Sequence, residues 1–163
     1  MFSILMSVII FIVSLIHIAF DRQKRTRVRV AEIFLQYIFF LEVGVEGVLG
    51  FLAHLFYPSI TASYMGWAQG SQFQLEVAFA LLAFGVLGIM SWWIRKDFWV
   101  ATGIGASLFA MGAAIVRVRD IVLFDNYAPG NAGAVLFNND IIFPLVTLLL
   151  LKFYRKGYTC SAL

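Results

Sequence analysis

The amino-acid sequence predicts an all-α fold, a polytopic membrane helix bundle with five transmembrane helices in one domain spanning residues 1–163. Of the 163 residues, 62% are hydrophobic and 13% charged, and the mean hydropathy is +0.91, far outside the usage of a water-soluble domain. The apolar residues fall into runs long enough to cross a bilayer and show no polar helical face. Lys and Arg cluster between those runs, as topology signals do, so the net charge of +3 gives no reason to expect a nucleic-acid partner.

The first span is expected over residues 1–20, which lack the positive leader and small-residue cleavage site of a signal peptide. Arg22, Lys24, Arg25, Arg27 and Arg29 follow and mark the next loop as cytoplasmic, which puts the N-terminus outside. The second span covers 30–56 and closes before Pro58. The third covers 72–94, opened by Ser71 and Gln74 as a capping box and closed by Arg95 and Lys96. The fourth covers 98–118, and the small residues Ala101, Gly105, Ala106, Ala110 and Ala114 suit close backbone approach, so it is expected at the bundle centre. The fifth covers 133–154 and ends at Lys152, Arg155 and Lys156, so the C-terminus falls inside. Ten of the twelve Lys and Arg residues thus lie on the inner side, against Arg117 and Arg119 outside.

Two outer loops remain, 57–70 with interfacial aromatics and 119–139 with a turn at Tyr127-Ala-Pro-Gly-Asn131. The tail Cys160-Ser-Ala-Leu163 formally fits a prenylation box, but Ser161 is not aliphatic and a spanning protein gains little from an anchor.

Ionisable residues inside the spans are the functional pointers, because each is costly in hydrocarbon unless paired or hydrated. With a rise of 1.5 Å per residue from each basic cluster, Glu42 sits about 19 Å up, Glu46 about 25, Glu76 about 28, Arg117 about 30, and Asp120 and His54 about 35 to 37. Asp140 sits about 18 Å up, so the fifth helix is expected to be interrupted by Asn138, Asn139 and Asp140 and bent near Pro144. A re-entrant loop or a short tilted helix is the alternative. The candidate cavity, in the outer half of the membrane, is therefore lined by Glu42, Glu46, His54, Glu76, Arg117, Asp120 and Asp140.

Glu42 and Glu46 lie one turn apart, so one is expected to hold a proton or meet a cation. Arg117 is the cation at the right height, with Glu46 or Glu76 as its expected contact and Asp120 beside it. A purely structural ion-pair network explains the same residues. His17 and His54 lie near opposite surfaces, which leaves no single haem ligated by both. His54 with Glu76 and Asp120 is a weak metal set. No P-loop, G-x-S-x-G, H-E-x-x-H or CxxC motif occurs, so the sequence assigns no reaction and no cofactor.

The stretch Gly66-Trp67, with Ser71, Gln74 and Glu76 and then Gly85 and Gly88, resembles uncharacterised families of small bacterial membrane proteins and, more loosely, the DoxX-like four-helix proteins. The similarity covers about residues 30–151, and the first span is an addition to that pattern. The resemblance implies a bacterial inner membrane and, for DoxX-like proteins, a link to quinone-dependent redox assemblies.

Three functions compete: a protein that binds or transports a small molecule or ion, a quinone-linked oxidoreductase component, and an accessory subunit that docks against a second copy or another membrane protein. Binding or transport is the leading expectation. The topology has a direct test with impermeant thiol reagents on intact cells. They are expected to miss Cys160 but to label Ser63→Cys in a Cys160→Ser background, and labelling of Cys160 would reverse the orientation.

Overall fold

The structure, a computed structural model, describes residues 2–160, with side chains as far as Gly157. The tail motif at Cys160 lies outside the described side chains. Five helices are long and apolar enough to span a membrane: Phe2–Phe20, Arg27–Phe56, Gln72–Met90, Asp97–Phe124 and Pro129–Gly157. No strand occurs among the described residues. At most 28% of the most apolar window of any span is buried inside the protein, so side chains such as Phe11, Phe79, Leu108 and Ile115 face outward. That surface is stable where the surrounding solvent is itself apolar, and helices satisfy their own backbone there.

The second span is the centre of the bundle. It packs along the third, and its other sides meet the first and the fifth. Glycines set the closest approach: a Cβ on Gly47 would lie 2.9 Å from the Gly85 Cα and from the Leu81 carbonyl oxygen, and a Cβ on Gly85 would lie 2.9 Å from the Val48 nitrogen. Gly44 and Gly88 meet in the same way. The fourth span is not central, contrary to the expectation from its small residues. It packs mainly on the fifth and turns Ile104, Leu108, Ile115 and Val122 outward. Small residues permit close packing without compelling it, and paired glycines allow a closer seam than alanines do.

Several boundaries shift. The second helix begins at Arg27, where the Thr26 side chain accepts from the Arg29 amide at 3.1 Å. The third ends at Met90, and the fourth continues to Phe124, where Asp125 adopts a left-handed conformation. The loop between the second and third spans holds a helix, Pro58–Met65, with proline at its start and left-handed Gly66 at its end. Ser71 makes no side-chain cap; the Gln74 amide instead donates to the Pro58 carbonyl at 2.9 Å and ties the loop to the third span.

The fifth span is interrupted near its start: the turn Pro129–Ala132 ends at Gly133, whose backbone, at φ −98° and ψ −149°, is not helical. It widens into π-helical turns over Val135–Ile142 and continues as Phe143–Cys160, with the Phe143 N–H donating to the Asn138 carbonyl five residues back. Pro144, which has no N–H to donate, stands at that junction. A second π segment, Ile38–Val45, lies inside the second span.

The basic loops and the end of the fifth span meet at one end. Leu35, Phe39, Trp99, Leu151 and Tyr154 form a core there. Arg29 pairs with Asp21 at 2.6 Å and with Glu32 at 2.9 Å, and Arg95 pairs with Glu32 at 2.5 Å. The hydrogen bond from Arg29 holds the Asp21 carboxyl below its ordinary range. Its contribution to stability is therefore present at neutral pH and lost as the pH falls through that lowered value.

Gly47→Ala and Gly85→Ala are each expected to lower stability by about 1–3 kcal/mol through overpacking, read as an earlier thermal transition in micelles. Gly112, with nothing within 4 Å of an added Cβ, serves as the control, and Gly112→Ala leaves the transition in place. Equal transitions for all three variants would remove the glycine seam from this account.

Candidate functional site

A cavity of about 670 Å³ lies among the second to fifth spans, covered by the loop between the second and third, which contributes Met65 and Trp67. Its walls are largely apolar, with Val77, Leu81, Phe84 and Phe109 prominent and the Phe84 and Phe109 rings 5.4 Å apart. Phe73, Leu108 and Val116 line it while remaining 63%, 62% and 52% exposed, so the cavity opens sideways between the third and fourth spans, which touch only lightly. The opening faces the outward apolar surface of the spans.

The polar groups gather on the other walls. Arg117 Nε lies 2.5 Å from Asp140 Oδ2, with both side chains mostly buried. The same guanidinium donates to the Gly130 carbonyl and reaches the Met65 sulfur at 3.7 Å. The Asn131 amide donates to the backbone oxygens of Arg117 at 3.3 Å and Asn126 at 2.9 Å, fixing the segment that follows the fourth span over the pair. Asn139 Nδ2 donates to Glu46 Oε2 at 2.7 Å, and its amide oxygen accepts the Ser3 hydroxyl. Asn138 adds bonds to the Ser3 and Ser7 hydroxyls at 2.9 and 2.7 Å. This chain of bonds joins the first, fifth and second spans.

The π segments explain how these groups reach one space. Asn138, Asn139 and Asp140 all lie in one, Glu42 lies in the other, and the Glu46 N–H closes the latter by donating to the Leu41 carbonyl. A wide turn advances the side chains by a smaller angle than an α turn and so directs neighbouring polar residues to one side; such turns are frequent at functional sites.

Of the residues expected from sequence, Glu42, Glu46, His54, Arg117, Asp120 and Asp140 line the cavity. Glu76 does not: it is exposed, two residues and so about 200° around the helix from buried Gln74. The expected contact of Arg117 with Glu46 or Glu76 is likewise replaced by Asp140. Counting from Lys152 places Asp140 too low, because the fifth helix continues to Gly157, which packs against Val28. Those five residues raise Asp140 by about 7 Å. With Glu76 turned away, the metal set of His54, Glu76 and Asp120 does not assemble, and no three His, Cys, Asp or Glu residues among those described are placed to hold a metal ion.

His54 is 6% exposed and stacks on Trp67 at 5.7 Å, so it belongs to the interior rather than to the interface. Asn131, fully buried, and Asn139 were not singled out as cavity residues. Asn131 reads as part of a Pro-Gly turn, and nothing local separates a turn from a plug. Six buried polar atoms on the cavity residues meet no hydrogen-bond partner among the described residues; Arg117 Nε and Asp140 Oδ2 face each other as the ion pair, and Glu42 Oε2, Glu46 Oε1, His54 Nδ1 and Asn131 Oδ1 have no such counterpart.

A family model described as "Family of unknown function (DUF6790)" matches residues 1–159. No curated protein and no solved structure matches the chain.

Removing one member of the buried pair leaves the other uncompensated. Arg117→Ala and Asp140→Ala are each expected to cost about 3–5 kcal/mol, whereas the double variant Arg117→Met with Asp140→Leu recovers most of it. Unfolding in mixed micelles measures all three. Single variants as stable as the parent protein would show that the pair is not formed.

Proposed function

We propose that this chain, which belongs to the DUF6790 family of unknown function, is a multi-pass membrane protein that binds a small molecule in the cavity within its bundle. The observation that carries the reading is the cavity itself, about 670 Å³ of mostly apolar space with charged and amide groups along one side. Binding sites have this composition: apolar walls supply affinity and a few placed polar groups supply orientation. A bundle in which those residues served only to hold helices together would be expected to close around them, since interiors pack to high density.

The ten-of-twelve cation bias supports an N-terminus outside and a C-terminus inside, with the cavity in the outer half of the bacterial inner membrane. The opening between the third and fourth spans supports entry from the bilayer, by a route suited to molecules that partition into lipid.

Trp67 lines the cavity and reports occupancy. A neutral heavy-atom probe, 2-(4-bromophenyl)ethanol, is expected to quench its fluorescence saturably in nanodiscs. The saturable part disappears in Trp67→Phe and in the cavity-filling Ala110→Phe variant, whose folding is checked by circular dichroism. Quenching that rises linearly and equally in all three proteins contradicts the reading.

A further inference from the structure

We propose that the ligand is an organic cation, a primary ammonium group on an apolar body, whose charge is held among Glu42, Glu46 and Asn131. The inference rests on the cavity being a binding site and adds the chemical class of its occupant. Four carboxyl-bearing residues line the cavity, Glu42, Glu46, Asp120 and Asp140, against one guanidinium. That guanidinium is already engaged by Asp140 and by the Gly130 carbonyl, so it is not free to hold an anion.

The atoms left unpartnered point the same way. Glu42 Oε2, Glu46 Oε1 and Asn131 Oδ1 are buried oxygens without a hydrogen-bond partner among the described residues. Asn131 is wholly buried and its amide nitrogen is already used twice, so the residue has an acceptor and no spare strong donor to offer. A buried polar atom left unsatisfied costs about 1–3 kcal/mol, so several oxygens on one cavity mark a place for a donor. An ammonium group brings three donors and no acceptor.

Other ligand classes match less well. A quinone, the occupant implied by the DoxX-like resemblance, presents carbonyl oxygens and no donor, so it would leave Asn131 Oδ1 unfilled. A bare metal ion would leave the Phe84 and Phe109 walls unused, and no three-residue ligand set converges among the described residues. The apolar walls and the sideways opening fit the hydrocarbon body of an amine that arrives through the bilayer.

Three bromophenyl probes with similar bodies separate the possibilities through Trp67 quenching in phosphatidylcholine nanodiscs. 2-(4-bromophenyl)ethylamine is expected to bind about tenfold or more tightly than 2-(4-bromophenyl)ethanol or 3-(4-bromophenyl)propionate, the margin of one charge-assisted hydrogen bond. Glu42→Gln and Glu46→Gln should reduce that preference, weakening the amine more than the alcohol. The comparison on the unaltered protein stands even where a variant fails to fold. Equal affinities, or tighter binding of the propionate, overturn the cation proposal but leave the binding site standing; no saturable quenching by any probe overturns both. Phosphatidylethanolamine added to the nanodiscs then identifies the source of the ammonium. Competition with the amine assigns it to a lipid headgroup, and lack of competition assigns it to a free amine.

Discussion

A guanidinium placed within an apolar bundle must be neutralised and must have its donors filled, and much of the far end of this protein is organised around that constraint at Arg117. Its charge is met by Asp140 and one of its donors by the Gly130 carbonyl. The first contact locks the fourth span to the fifth, and the second holds the short turn Pro129–Ala132 at the start of the fifth. Asn131 then bonds the Arg117 carbonyl, and Asn126 reaches across to the Met65 carbonyl at 3.1 Å, so the two connections at this end are secured to each other and to the pair. The cavity lies beneath this covering.

The opposite end is held by different means. Aromatic packing around Trp99, with the indole N–H donating to the Ser91 carbonyl at 2.7 Å, combines with ion pairs that link the basic loops. Between the two ends the glycine seam of the second and third spans brings two backbones together. The third and fourth spans have no such seam, and their light contact leaves the opening. A tight side and a loose side of the same bundle follow from where glycine and bulky residues fall.

The number of spans, their approximate limits and the clustering of intramembrane charge were legible in the sequence, because lipid imposes length, hydropathy and charge rules that are local. Direction around a helix axis was not. Glu76 and Glu46 have similar estimated heights, yet one is exposed and the other lines the cavity. Height follows from counting residues, whereas facing depends on which neighbours a helix acquires. The π turns were also hidden: Asn138-Asn139-Asp140 signalled an irregularity in the fifth span, but an apolar run around Glu42 gave no sign that the second span widens. Asn131 escaped notice because a buried loop amide and an exposed turn residue share the same local sequence.

These features together describe a bundle with an internal, laterally open cavity whose spare polar atoms are mostly oxygens. The most direct test is an experimental structure with 2-(4-bromophenyl)ethylamine bound, with bromine located by its anomalous scattering. The account predicts bromine inside the cavity against the Phe84 and Phe109 rings and the amine nitrogen within hydrogen-bonding distance of a Glu42 or Glu46 oxygen. Bromine found only on the lipid-facing surface, with the cavity filled by rearranged side chains, would contradict it.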